Sequence, residues 1–164
     1  MLSSIIGEEA YDSFISSIEG LISIQKLAIE LFEYGGDVLK NQGLLDKALK
    51  MLKDYPSQMV FAIVLGLRAV NTEAGDKRGK VLLVNAFRIY DAIVEKTGDP
   101  SIVRDAYEII YSILARNNRL GELAQLIDYI VSKQLVGEDT AKVLKDARQK
   151  LDKVAKLIDA VNEA

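Results

Sequence analysis

This 164-residue sequence contains no cysteine and no histidine. Without cysteine, the chain cannot form a disulfide framework, a thiolate zinc site, an iron–sulfur centre or a cysteine nucleophile. Without histidine, it lacks the commonest metal ligand and the usual general base near neutral pH. The sequence therefore predicts a protein that is not an enzyme, with no cofactor, no metal site and no catalytic residues. The lack of cysteine also agrees with a thermophilic or an intracellular protein.

Long apolar runs and prolines are scarce as well. The most apolar run, residues 59–67, is about half the roughly 20 residues that a membrane span needs, so we expect a buried core helix there. Residues 1–9 contain neither a basic region nor a long apolar stretch, which argues against a secretory signal and favours a cytoplasmic location. The only two prolines both stand where a helix would begin.

What is present is typical of a globular helical protein. Hydrophobic residues make up 49% of the chain and charged residues 27%, and the length is that of one domain. Apolar residues recur every three or four positions, and no alternating run competes convincingly as a strand. We predict a single all-α domain over residues 1–164, a bundle of about eight helices at 8–19, 21–34, 44–54, 56–73, 79–97, 100–117, 120–134 and 138–162.

The helices at 56–73 and 79–97 are apolar on most sides, so we place them at the centre of the bundle. Residues 86–94 align with residues 106–114, which suggests helical hairpins stacked like a solenoid with a period of about 40 residues. The matches are mostly generic apolar positions, and fewer than three units fit. An irregular bundle is therefore the alternative.

The clearest helix boundary is the sequence Gly98-Asp99-Pro100. A glycine commonly ends a helix, an aspartate caps the start of the next, and proline is tolerated in the first turn. We expect one helix to end at this glycine and another to begin at this proline.

A basic cluster opens the predicted 79–97 helix. Its sequence, Gly75-Asp76-Lys77-Arg78-Gly79-Lys80, resembles a phosphate-binding loop only superficially, because only three residues separate the two glycines and Val81 stands where a hydroxyl residue is needed. Three cations nevertheless stand at a helix amino terminus, where the helix dipole already disfavours positive charge. A site for an anion or for nucleic acid is one interpretation, and solvated surface charge is the other. The candidate residues are Lys77, Arg78, Lys80 and Arg88.

The last predicted helix carries a heptad-like seam that could pair lengthwise with another helix. The seam consists of Leu144, Ala147, Leu151, Val154, Ile158 and Val161. Flanking apolar residues such as Val143 and Leu157 widen the stripe and favour packing within the chain, while a dimer seam is the alternative. On the outer face, each of three acids precedes a base by four residues: Glu138 and Lys142, Asp146 and Lys150, Asp152 and Lys156.

Two acid pairs have helical spacing, Asp91 with Glu95 and Asp105 with Glu108. We interpret them as solvated helix faces, with an oxygen-only magnesium site as the alternative.

These patterns predict an assembly protein that binds another protein subunit, or a second copy of itself, through apolar helix faces. The alternative is an accessory protein that binds nucleic acid through the basic cluster, together with Arg116 and Arg119.

Overall fold

The computed structural model describes residues 7–54, 58–71 and 77–163. Within these ranges the chain is helical and contains no strand, so the predicted all-α fold of about eight helices is confirmed. None of the described helices combines the length and apolar character that a membrane span requires. A short 3₁₀ turn, Val38–Lys40, accompanies seven α-helices: α1 Glu8–Tyr34, α2 Gln42–Asp54, α3 Gln58–Val70, α4 Lys77–Thr97, α5 Ser101–Arg116, α6 Leu120–Ser132 and α7 Glu138–Glu163.

The predicted separation of the first two helices at Gly20 is wrong, because α1 runs unbroken for 27 residues. A single interior glycine weakens a helix by only about 1 kcal/mol. The apolar spacing continues past Gly20 to Ile24, Leu27 and Leu31, all of which are buried. Burial of this face outweighs the glycine, and α1 ends instead at Gly35, which has a left-handed φ of 61° and donates its N–H to the carbonyl of Leu31.

Helix α4 lies at the centre of the fold, as predicted, and contacts every other helix. Its residues Leu82, Phe87 and Tyr90 are completely buried. Helix α3 packs on α1, α4 and α5. However, Ile63 and Leu67 of α3 are exposed, so the prediction of a central position for this helix is correct for only part of its surface. Both exposed side chains lie on the side of α3 that faces away from these three helices.

Close packing of α3 on α5 depends on small residues. Ala62, Gly66 and Ala69 follow one another at steps of four and three residues, on one buried face of α3. A Cβ atom at Gly66 would lie only 2.8 Å from Cδ1 of Ile113. The glycine therefore permits a contact distance that even alanine would disturb.

The predicted boundary at Gly98-Asp99-Pro100 is confirmed. Gly98 adopts a left-handed φ of 70° and donates its N–H to the carbonyl of Val94 at 2.7 Å. The carboxylate of Asp99 accepts the N–H of Ser101, the first residue of α5, at 3.0 Å. Hydrogen bonds from Ser101 hold the pKa of Asp99 below its ordinary value, because they stabilise the ionised carboxylate.

Candidate functional site: the exposed end of the last helix

The last helix is much longer than the helix that it packs on. Helix α7 has 26 residues and α6 has 13, so at 1.5 Å per residue they measure about 39 Å and about 20 Å. The two are joined by a short connection and contact each other extensively. Only part of α7 can therefore lie against α6, and we call residues 138–151 its proximal half and residues 152–163 its distal half.

The predicted seam is covered along the proximal half and open along the distal half. Leu144, Ala147 and Leu151 are at most 6% exposed and belong to the core. Val154 is half-buried, whereas Ile158 is 50% exposed and Val161 73%. The seam therefore packs within the chain up to Leu151 and continues into solvent beyond it.

The exposed part of the seam forms a contiguous apolar patch. Leu157, which is 66% exposed, lies on the same side of the helix as the open seam residues. We call this patch the distal surface; its residues are Val154, Leu157, Ile158 and Val161.

A groove lies on each side of α7: the larger one follows the proximal half and reaches the distal surface at Val154, and the smaller one extends to Ile158. The larger one, of about 790 Å³, lies between α5 and α7 and includes Tyr107, Tyr111 and Val154. The two tyrosine rings are 6.1 Å apart. Burial and the neighbouring Tyr111 raise the pKa of Tyr107 to about 12. The smaller groove, of about 250 Å³, lies between α6 and α7 and includes Leu120 and Ile158. The patch therefore has concave, partly apolar borders.

A buried carboxylate of α4 binds the start of the proximal half. Asp91 of α4 is buried, so the prediction of a solvated face is wrong for this residue. Its two oxygens accept the N–H of Gly137 at 3.2 and 3.1 Å, and Oδ1 also accepts the hydroxyl of Thr140 at 2.6 Å. Asp91 thus caps the amino terminus of α7, where the helix dipole favours negative charge.

The other acids of the two pairs, Glu95, Asp105 and Glu108, are exposed as predicted. In the part of the chain that the structure describes, acidic side chains form no cluster suited to a metal ion.

Arg148 marks the junction between the two halves of α7. Its guanidinium donates to Asp128 of α6 at 3.0 Å and to Asp152 of α7 at 2.5 Å. These hydrogen bonds raise the pKa of Arg148. Asp152 was predicted to pair with Lys156 but pairs with Arg148 instead. The ion pair with Asp128 connects the end of the proximal half to α6, and the ion pair with Asp152 lies at the start of the distal half.

Only part of the predicted basic cluster is exposed among the described residues. Helix α4 begins at Lys77, so this residue and Arg78 stand in its first turn; the side chain of Lys77 lies outside the described residues, as do Gly75 and Asp76. Arg78 lies over the ring of Phe32, with its Cζ 5.9 Å from the ring centroid. Lys80 is exposed.

Two of the cations proposed for nucleic-acid binding have partners inside the chain. Arg88 forms an ion pair with Asp37 at 2.8 Å, and its side chain is only 15% exposed. Arg119 donates to the carbonyl of Ala69 at 2.9 Å, at the end of α3. Arg116 is exposed. Arg88 therefore joins α4 to the residue that precedes the 3₁₀ turn, and Arg119 joins the start of α6 to the end of α3.

Comparisons of the chain with known protein families, with curated proteins and with solved structures found no match.

Proposed function

We propose that this protein is a non-enzymatic assembly protein that docks on another protein subunit through the distal surface. The observation that carries the proposal is the exposure of Leu157, Ile158 and Val161, which is 66, 50 and 73%. In the preceding turns of the same helix, the apolar residues of the seam are buried. Complete burial of a fully exposed side chain of this kind contributes about 1.5–3 kcal/mol, and covering the exposed half to three quarters of each of these contributes a corresponding share. A partner that covers the distal surface therefore has a clear source of binding energy.

The shape around the distal surface supports docking of a helix. Grooves on both sides of α7 offer apolar side chains, Tyr107 and Tyr111 on one side and Leu120 and Ala124 on the other. An amphipathic helix placed along the distal surface could insert apolar residues into the smaller groove, and into the larger groove at its end nearest Val154. The proposed mechanism is helix-to-helix docking with Leu157, Ile158 and Val161 as anchors.

Site-specific photo-crosslinking in the native cells tests the proposal. A photoreactive amino acid at Ile158 is expected to give a covalent adduct with a protein subunit. The matched control carries the same amino acid at Asp159, which is exposed on the same turn but points away from Val154, Leu157 and Val161. Adducts of equal yield at both positions, or none at Ile158, would contradict docking through the distal surface.

A further inference from the structure

A second exposed apolar patch lies midway along α1. Ile18, Leu21 and Ile22 are 38, 43 and 48% exposed; Ile18 and Ile22 lie on the solvent side of the helix, and Leu21 lies at the border with the buried Ile24 and Ala28. Three exposed acids, Glu8, Asp12 and Glu19, fall along one edge of this patch on its amino-terminal side, because they are separated by four and seven residues; the exposed Lys26 continues the same edge beyond Ile22. We call this patch and its acidic edge the acidic surface.

The distal surface has the opposite charge along one edge. Lys150 and Lys153 are exposed and lie seven and four residues before Leu157, so the three side chains share one side of α7. Among the described residues, neither these lysines nor the acids of the acidic surface form an ion pair. Both edges are therefore available to an external partner.

The two surfaces do not satisfy each other within one chain. Helix α1 packs on α2, α3 and α4, whereas α7 packs on α4, α5 and α6. The patches thus belong to helices with different neighbours, apart from the central α4 that separates them.

We propose that the occupant of the distal surface is the acidic surface of a second copy of this chain, an inference that rests on the proposed function. The contact joins two apolar stripes and places Lys150 and Lys153 of one copy beside Asp12 and Glu19 of the other. Charge complementarity of this kind speeds encounter and fixes which surfaces pair.

Because the two halves of this contact differ, each copy can donate one surface and accept the other. Such head-to-tail contacts close into a pair or ring, or continue as a chain. Light scattering should then give masses that are multiples of the 18.1 kDa chain, and rising salt should shift the distribution toward the monomer because exposed charges are screened.

Complementary charge reversal tests the pairing. One variant carries Asp12→Lys and Glu19→Lys, and the other Lys150→Glu and Lys153→Glu. Each variant alone presents two surfaces of like charge, so its association constant should fall about tenfold or more. An equimolar mixture should associate again, since every contact between unlike variants joins opposite charges.

The matched control is Lys50→Glu with Lys53→Glu on α2. These lysines are also exposed and three residues apart, so the change in net charge and spacing is the same, and association should be unaffected. Circular dichroism of every variant checks that the fold is retained.

Two outcomes would overturn the pairing. One is a wild-type protein that stays monomeric at the highest concentration it tolerates; the other is a mixture of the two variants that stays as monomeric as either alone. If the crosslinker at Ile158 then captures a different protein, docking through the distal surface survives and only the second copy is refuted. If it captures nothing, both proposals fail.

Discussion

The two halves of α7 carry the same apolar repeat but have opposite environments. In the proximal half, Leu144 is completely buried, and Asp91 caps the amino terminus. In the distal half, Ile158 occupies the equivalent repeat position two heptads later and is 50% exposed. The difference arises because α6 is half as long as α7. Helix α6 covers the apolar side of the proximal half, and the distal half extends beyond it. A periodic pattern therefore shows which side of a helix is to be buried, while the packing partner decides whether the chain buries it.

The largest expected effect is a difference in the free energy of unfolding between substitutions in the two halves of α7. Leu144→Ala should lower the free energy of unfolding by about 2–5 kcal/mol because it opens a cavity in the core. Ile158→Ala should change it by no more than about 0.5 kcal/mol in the monomer, because the side chain already contacts water. Urea unfolding at a dilution where the protein is monomeric measures both, and similar losses would remove the distinction.

A smaller effect is expected at the cap of the proximal half. Asp91→Ala should destabilise the fold by about 1–3 kcal/mol, because the N–H of Gly137 and the hydroxyl of Thr140 lose their acceptor. Asp91→Asn should lose less, since an amide oxygen can still accept one of these bonds. Glu95→Ala, an exposed neighbour on the same helix, is the control for thermal unfolding. Equal effects at both positions would show that Asp91 is not a cap.

The smallest effect is expected at the junction. Arg148→Ala should reduce stability by less than about 1 kcal/mol, because its partners Asp128 and Asp152 are well exposed to solvent. A double-mutant cycle with Asp128→Ala isolates the pair. A coupling energy of several kcal/mol would mean that the junction, and not α6 packing, holds the proximal half.

Local signals in the sequence predicted the fold well. The cap at Asp99 and the turn at Gly98 depend on residues within five positions of each other, so the sequence alone shows them. Gly20 misled because local propensity favours a break there, whereas burial of Ile24 and Leu27 keeps α1 continuous. The exposed edge of α3 at Ile63 and Leu67 was missed for a related reason: an apolar run does not show which of its sides will find a neighbour.

The contacts that define the site depend on residues far apart in the chain. Asp91 reaches α7 across 46 residues, and Arg88 pairs with Asp37; no local pattern distinguishes either residue from a solvated charge. The seam from Leu144 to Val161 was predicted as one feature, because its spacing does not change at Leu151. The residue at which α6 no longer covers the seam is known only once the bounds of α6 and α7 are known.

Hydrogen exchange along α7, measured at low and at high protein concentration, tests the central claim most directly. The account predicts that amides of residues 138–151 exchange slowly at both concentrations, while those of residues 152–163 exchange rapidly in the dilute monomer and become protected on association. Slow exchange of the distal half in the monomer, or protection that does not change on association, would contradict the claim that this half is an open docking surface.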